Sequence, residues 1–405
     1  MRRFTLLLLF ALSAAAQTPL SLRDAVSQAL SIHPLLSAGA GRVAASEGLR
    51  RQAALRPNPR MFFQVENLRG HGQPGFVYGR DADTYAYVSQ VIETSGRRGL
   101  RTEAASANVR RAELERELLA RQIAARVKHA YWSAAGAQRV HELLVESMNT
   151  FRQVVEYHEL RVREGAMAEA DLLRVRVESE RFAIAANSAA LDAERARIQL
   201  LREMGRTEFP KVQLTDKLDE TGPFAGTVDA VRALEERLEV RAAKQAVEQA
   251  QTALRLERAS ARPNVDLLAG YKRSGGFNTV LGGVQVDLPF ANRNQGNIGA
   301  AEAEVRVAEA SLAAVEATVK AEVRTAQSEY EIRRRQLLDT LRTLREHAVE
   351  SSKIALAAYR EGGLDLLRLI DSERVRLDVE ALYGRTLAEY RQSIVNLETA
   401  LGVAP

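Results

Sequence analysis

Three pairs of glycines, Gly99 with Gly296, Gly165 with Gly362 and Gly205 with Gly402, each stand 197 residues apart. The patterns between them recur in the same order. The chain is therefore two copies of one unit: a helix, a β-hairpin, a very long helix and a shorter return helix. Pro57 and Pro263 lie 206 residues apart, so the first hairpin holds nine more residues than the second. A fold drawn from this chain has to place every element twice.

In the first copy, Ser21 to Leu55 is helical, with Ser21 as cap and Asp24 three positions on. Pro57 and Pro59 stop it. Arg60 to Leu68 alternates as a strand, Met61, Phe63 and Val65 against Gln64 and Glu66. Gly70 to Asp83 is loop, and Thr84 to Ile92 a second strand. Tyr85 and Tyr87 share one face there, as an interfacial girdle or as cross-strand packing. From Arg97 to about Arg163 hardly a breaker occurs. About 65 residues at 1.5 Å each would run roughly 100 Å, which predicts a coiled-coil arrangement. Gly165 interrupts it, Glu169 to Met204 returns, and Arg206 to Thr227 is polar and irregular.

The second copy repeats the plan. Asp229 to Ala261 is helical, and Val265 to Lys272 and Thr279 to Leu288 are strands. The stretch Gly282 to Gly299 carries the strand into the next helix, ending the strand at Pro289 and offering Asn292, Asn294 and Asn297 as caps. A helix is expected from Gly296 to Arg360, with Val305, Ala308, Leu312, Val315 and Val319, then Leu337, Leu341, Leu344 and Ala348, at 3-4 spacing. Gly362 and Gly363 break it and Leu366 to Leu401 returns. The organisation is a leader over 1–16, a first repeat over 17–205, a linker over 206–227 and a second repeat over 228–405. The leader is read from Arg2 and Arg3, an apolar run from Phe4 to Leu12 and Ala14, Ala15 and Ala16 before a cleavage point.

The strands in an exported chain pose a closure problem. No later run is long and apolar enough for a transmembrane helix, but export leaves a β-barrel open. Four strands cannot close a barrel, and an open edge in lipid is prohibitive. Three copies would supply twelve strands, an even count that encloses a channel. An antiparallel coiled-coil rod with a β cap is the alternative. The net charge is +5, but acidic and basic residues, 27% of the chain, alternate as on solvated helix faces, which argues against nucleic acid. With no Cys, disulfides, thiolate metal sites and a lipid-modified Cys at the mature terminus are excluded.

Several stretches together resemble TolC-type outer-membrane efflux proteins, over about Leu20 to Gly402. They are Arg56-Pro57-Asn58-Pro59 before the first strand, Gln90 to Gly99 (QVIETSGRRG), Asn292 to Asn297 (NRNQGN), and Tyr359 to Asp371 (YREGGLDLLRLID). Within that family the chain is similar to the outer-membrane component of cobalt–zinc–cadmium exporters of the RND type. The resemblance implies a mainly α fold with a small membrane β-barrel part. Antiparallel helices would form an α-helical barrel crossing the periplasm, and a homotrimer would close a twelve-stranded barrel in outer-membrane lipid. It implies no enzymatic activity and no cofactor. The expected partners are a periplasmic adaptor and an inner-membrane RND pump, with no nucleic acid. The function implied is the exit duct of a tripartite efflux system for divalent heavy-metal cations. A duct for drugs, organic compounds or type I secretion is the alternative, and a structural periplasmic coiled coil a more remote one.

By that resemblance the turns at Gly165 and Gly362 form the periplasmic end. Asp171, Tyr359 and Asp371 are the expected gate, because threefold symmetry converts each Asp into a ring of like charge. Arg163, Glu164, Gly165, Arg360, Glu361, Gly362, Gly363 and Leu364 are the expected adaptor-docking tips. Leu364 stands where the family's type member has an Arg and Arg368 where it has an Asp, so latch bonds do not transfer. Nothing points to catalysis or a resident metal. The six His form no HExxH or ligand pair, no G-x-S-x-G or phosphate loop occurs, and the five Met are scattered.

Overall fold

The computed structural model describes residues 18–219, 224 and 226–403; the expected leader over 1–16, and a few linker positions, lie outside them. The elements are β1 (Thr18–Leu20), α1 (Leu22–Ile32), α2 (Pro34–Ala53), β2 (Arg60–Glu66), α3 (Tyr78–Asp81), β3 (Asp83–Ile92), α4 (Arg97–Arg163) and α5 (Glu169–Glu203). Then come β4 (Val212–Leu214), α6 (Ala230–Glu236), α7 (Leu238–Ser260), β5 (Val265–Ser274), β6 (Phe277–Val286), α8 (Gln295–Arg335), a π-helical segment (Gln336–Leu341), α9 (Arg342–Arg360) and α10 (Leu366–Ala400). They pack as two compact units, each drawing on both repeats. One holds residues up to Ser37, Leu118–Arg237 and Val319 onward; the other holds Ala38–Glu117 and Leu238–Thr318.

The second unit carries a four-stranded sheet in the order β2-β3-β5-β6. Every pairing is antiparallel, with Phe63 opposite Ala86, Ala86 opposite Tyr271 and Tyr271 opposite Val280. The junction motifs act here as clamps. Arg97 donates to the carbonyls of Ala259 and Ser260, at the end of α7, and Arg101 to those of Ala53 and Leu55, at the end of α2. Both guanidiniums satisfy the last carbonyls of a helix, where a positive charge also suits the helix dipole. Asn294 adopts a left-handed φ of 62° and its amide donates to Glu257 O at 2.9 Å.

In the first unit the repeat glycines do what their spacing predicts. Gly165, Gly205, Gly362 and Gly402 have φ of 71°, 78°, 77° and 76°. Each ends a helix with a pair of backward bonds, as in Gly165 N to Val162 O at 3.0 Å and Ala166 N to Arg161 O at 2.9 Å. This termination needs a left-handed residue, which Gly supplies without a Cβ clash. The core below Gly205 gathers Ile123, Val127, Tyr131, Leu200, Leu201 and Met204.

Three expectations change. The helices expected from Ser21 and from Asp229 are each broken, at His33 (φ −63°, ψ 123°) and Arg237 (φ −67°, ψ 125°). Pro34 disfavours helical backbone at His33. Arg237 instead sends its guanidinium to Thr399 O, Ala400 O and Glu322. The linker is not wholly irregular: β4 pairs in parallel with β1. The Tyr131 hydroxyl stands 2.6 Å from Asp216 Oδ2 and 3.0 Å from Leu20 O. Finally, one member of the 3-4 stripe, Leu344, leaves the core face. The π turn inserts one residue's worth of rotation, so Leu337, Leu341 and Ala348 are buried while Leu344 is 43% exposed.

Two interior glycines give opposite expectations. A Cβ on Gly136 in α4 would lie 2.8 Å from Ala388 Cβ in α10, whereas one on Gly384 would meet nothing nearer than Val140 Cγ2 at 3.7 Å. Glycine inside a helix costs about 1 kcal/mol relative to alanine. Gly384→Ala is therefore expected to raise stability by up to about 1 kcal/mol. Gly136→Ala is expected to lower it by about 1–2 kcal/mol net, since overpacking outweighs propensity. Thermal unfolding of the detergent-solubilised protein reads both signs.

Candidate functional site: the sheet face and the helix-hairpin turns

The register separates the sheet's two faces. Met61, Phe63, Val88, Ile92, Leu267, Tyr271, Val280, Val284 and Val286 fall on one of them. All are exposed, Val280 by 92% and Met61 by 79%. The other face carries Gln64, Glu66, Asp83, Asp266, Lys272, Thr279 and Gln285. Tyr85 and Tyr87 lie on this polar side. Tyr87 stacks on Phe62 at 5.0 Å and Lys272 Nζ sits 5.3 Å from the Tyr85 ring centre. Their role is thus cross-strand packing rather than an outward girdle. The outer edges of β2 and β6 have no strand partner among the described residues. No described helix is long and apolar enough to cross a membrane. A contiguous exposed apolar face on an antiparallel sheet suits lipid.

The turns of the first unit hold the expected tip residues. Arg163 ends α4, 3.7 Å from Glu159. Glu164 and Gly165 are exposed beyond it. Arg360 and Glu361 close α9, Gly362 and Gly363 form the turn, and half-buried Leu364 precedes Asp365, whose carboxylate caps α10 through Arg368 N at 3.0 Å. Arg368 is 3.5 Å from that same Asp365, a local pair.

The three expected gate residues are not gathered into one contact. Tyr359 is half-buried, and Asp171 lies in the first turn of α5. Burial, then the charges of Tyr157 and Asp171, push the Tyr359 hydroxyl up to about 12. Asp371 is exposed on α10 and its charge bears on Arg374 of the same helix.

The spacing argument missed what Tyr359 touches. Its hydroxyl is 2.6 Å from His158 Nε2, with the rings stacked 5.7 Å apart at 11°. His158 Nδ1 is 2.7 Å from Val154 O, and His158 is fully buried. The available signal was its place in a core stripe, since Phe151 and Val154 precede it at helical spacing and are buried with it.

A polar seam runs further along these helices. Glu178 of α5 accepts from Arg374 of α10 at 2.5 Å and from Arg181 at 3.2 Å. Arg376 of α10 reaches Glu373 at 2.9 Å, Glu380 at 2.8 Å and Ser147 of α4 at 2.9 Å. Ser352 of α9 donates to Glu373. Burial alone would raise the Glu178 carboxyl. The hydrogen bond and charge of Arg374, backed by Arg181, outweigh it and hold the pKa below the usual value. Among the described residues, no cluster of three or more His, Asp or Glu side chains is arranged to hold a metal ion.

A sheet apolar on one side and open at both edges, together with paired long helices, defines a subunit of an outer-membrane channel. Residues 25–206 and 230–403 match the model of the outer membrane efflux protein family, and the chain belongs to that family. It is a transport protein, not an enzyme, with its helical part in the periplasm. Channels of this kind work with adaptor and pump partners. The chain is 24% identical over 392 residues to the cobalt-zinc-cadmium resistance protein CzcC of Cupriavidus metallidurans, covering 96% of this chain and 91% of that protein. It is 28% identical over 304 residues to the nickel and cobalt resistance protein CnrC of the same species, covering 75% and 71%. Among solved structures, the outer-membrane channel OprN superposes with a TM-score of 0.77 at 22% identity, covering 95% of this chain and 90% of that one. CusC superposes with 0.76 at 17%, covering 95% and 92%. The mainly α, duplicated fold with its small β part is the fold of these channels.

Removing Arg374 leaves a largely buried carboxylate with Arg181 as its remaining partner. Because the Glu178 pKa is depressed in the folded state, the stabilisation is present above the unfolded carboxylate pKa. It is lost as pH falls through the folded value. Arg374→Ala should therefore cost about 1–3 kcal/mol at neutral pH and markedly less in strong acid, as read by thermal unfolding at several pH values.

Proposed function

We propose that this chain is the exit duct of a tripartite efflux system for divalent heavy-metal cations, working as a homotrimer. The observation that carries the reading is the sheet: its apolar face asks for lipid and its two open edges ask for neighbours. In hydrocarbon each unpaired backbone group costs several kcal/mol, so β6 of one copy pairing with β2 of the next removes both edges. Three copies give twelve strands, enough to enclose a lumen. A second surface supports the same partner. Val177, Ile184, Leu191 and Ile198 of α5 recur every seven residues and are 58%, 65%, 51% and 37% exposed. A heptad stripe left bare on one chain fits a helix of a neighbouring copy.

The metal cargo rests on the kinship with CzcC and CnrC, whose names record cobalt, zinc, cadmium and nickel resistance. The docking role of Arg163, Glu164, Gly165, Arg360, Glu361, Gly362, Gly363 and Leu364 rests on their place in two short glycine turns that a partner can approach closely, all of them exposed except half-buried Leu364. The gating role of Asp171, Tyr359 and Asp371 rests on their position near those turns. In a trimer each Asp becomes a ring of three charges that draws cations to a constriction.

A strain lacking the gene should lose growth on cobalt, zinc, cadmium or nickel salts and regain it on complementation. Sensitivity confined to drugs or organic solvents would instead assign the duct to organic cargo. In planar bilayers, Asp171→Ala and Asp371→Ala should raise conductance and weaken block by divalent cations; unchanged traces from both variants would remove these residues from the gate. A purified chain that stays monomeric without detergent would overturn the trimer.

A further inference from the structure

The first β-hairpin carries an insertion to which the duct and its gate assign no role. β5 and β6 are joined by Gly275 and Gly276 alone, whereas residues 67–82 separate β2 from β3 and contain α3. Both connections lie at the end of the sheet away from the helices, beside the Glu66–Asp83 and Ser274–Phe277 pairs. The helical part is periplasmic, so this end of the sheet faces outward. β5 has ten residues, and a tilted strand needs about 9–11 to cross hydrocarbon. Its last residues therefore reach the level of the outer headgroups.

The insertion folds over the apolar face. Thr84 of β3 and Arg273 of β5 stand opposite each other in the register, on the face that holds Met61 and Val88. The Tyr78 hydroxyl is 3.2 Å from Thr84 Oγ1, and Arg273 donates to Gly79 O at 2.6 Å. These bonds hold α3 on the apolar side, over the two inner strands and away from the edges of β2 and β6 where a second copy would pair. Phe76, Val77 and Tyr78 are exposed there. The same spot carries more positive charge than it neutralises. Asp81 accepts from Arg80 Nε at 2.7 Å and from Val77 N at 2.8 Å, with Arg69 3.7 Å away. Its side chain is 10% exposed while those of Arg69 and Arg80 are 53% and 58% exposed, so the carboxylate lies beneath and the guanidiniums face out. Among the described residues no carboxylate pairs with Arg273, and its buried Nε has no acceptor. Glu66 and Asp83 belong to the polar face, where Glu66 accepts from Gln64, and Asp83 from Asn67 and Gly275 N.

We propose that this insertion is a clamp for phosphate-bearing lipid of the outer leaflet. Arg69, Arg80 and Arg273 donate to phosphate oxygens, and Phe76, Val77 and Tyr78 seat the segment in the apolar boundary beside them. Three guanidiniums share one carboxylate, and at a membrane surface the anion within reach is a lipid phosphate. The planar fork of arginine fits that group in a way a point charge does not. Aromatic and apolar side chains beside arginines are the composition of an interfacial segment, which takes both hydrocarbon and headgroup contact. The proposal rests on the reading of the sheet's apolar face as covered by lipid, and deepens it by naming the lipid chemistry at one end. Each arginine near an anionic membrane surface strengthens binding about five-fold.

The test uses the full-length protein in detergent and in vesicles. Native mass spectrometry counts the lipid bound from mixed micelles that hold either diphosphorylated lipid A or its dephosphorylated form. The wild type should prefer the phosphorylated lipid, and the preference should fall about five-fold for each arginine changed to glutamine. The triple variant Arg69→Gln, Arg80→Gln, Arg273→Gln should bind both lipids alike. The same three positions changed to lysine keep the charge and should keep most of the preference. Lys272→Gln removes one charge from the polar face at the same end and should change nothing. Wild-type conductance in planar bilayers shows that a variant still forms its channel. Where the glutamine variant does not, the two-lipid comparison in the wild type and in the lysine variant decides. Equal binding of the two lipids by the wild type overturns the clamp. So does a conducting glutamine variant that keeps the preference, or a loss in Lys272→Gln as large as that from one of the three arginines. A protein that inserts into phosphatidylcholine vesicles but shows no preference refutes the clamp alone. One that enters no vesicle refutes the lipid-covered sheet, and the clamp with it.

Discussion

The four-stranded sheet exposes more apolar surface than a water-soluble sheet tolerates, and its two edges carry backbone that lipid cannot pair; the rest of the chain follows from that. The face that holds Met61, Phe63, Val280 and Val284 repels water, and the outer edges of β2 and β6 repel hydrocarbon. Only a closed ring of strands in lipid satisfies both. The same logic bears on the bare heptad stripe of α5: in the proposed trimer a neighbouring copy would cover it.

Duplication explains the backbone better than it explains the side chains. The helix-ending glycines of the two repeats agree within a few degrees of φ, at 71° against 77° and 78° against 76°, because a left-handed stop admits few residues. The side chains that join the hairpins do not repeat. Counted 197 positions on, His158 corresponds to Ala355, and Tyr359 counted back corresponds to Val162. The second repeat also has a π-helical segment at Gln336–Leu341, whereas α4 runs through the corresponding stretch without one. Copies that began alike have thus diverged where the hairpins touch and not where they turn.

This division also marks what could be read from sequence. Helices, strands and stops were legible because each leaves a local trace: period two over Arg60 to Glu66, 3-4 spacing from Val305 to Val319, and glycine at each stop. The strand ends fell within a few residues for the same reason. The breaks at His33 and Arg237 were less legible. Pro34 hinted at the first. The second depends on Arg237 reaching carbonyls at Thr399 and Ala400, far along the chain. The three-residue strands β1 and β4 are too short to show alternation. At the tips, spacing located Tyr359 and Asp171 but not their setting. A lone histidine in a core stripe looks like packing until its two nitrogens are seen to have different partners.

The composition of the seam between the hairpins has a physical rationale. Apolar contacts hold equally at all pH values and ion concentrations, so a seam built only from them would part under force alone. Leu143, Val175, Leu366 and Ile370 supply some such contact. Across it lie Glu178 with Arg374, Arg376 with Ser147, and Tyr359 with His158. Buried polar pairs add little net stability over apolar packing, yet breaking one partner is costly. Their strength is conditional: it changes with protonation, with a competing cation, or with a partner's own charged groups. A seam held by such bonds responds to its chemical surroundings in a way that one held by more leucine does not.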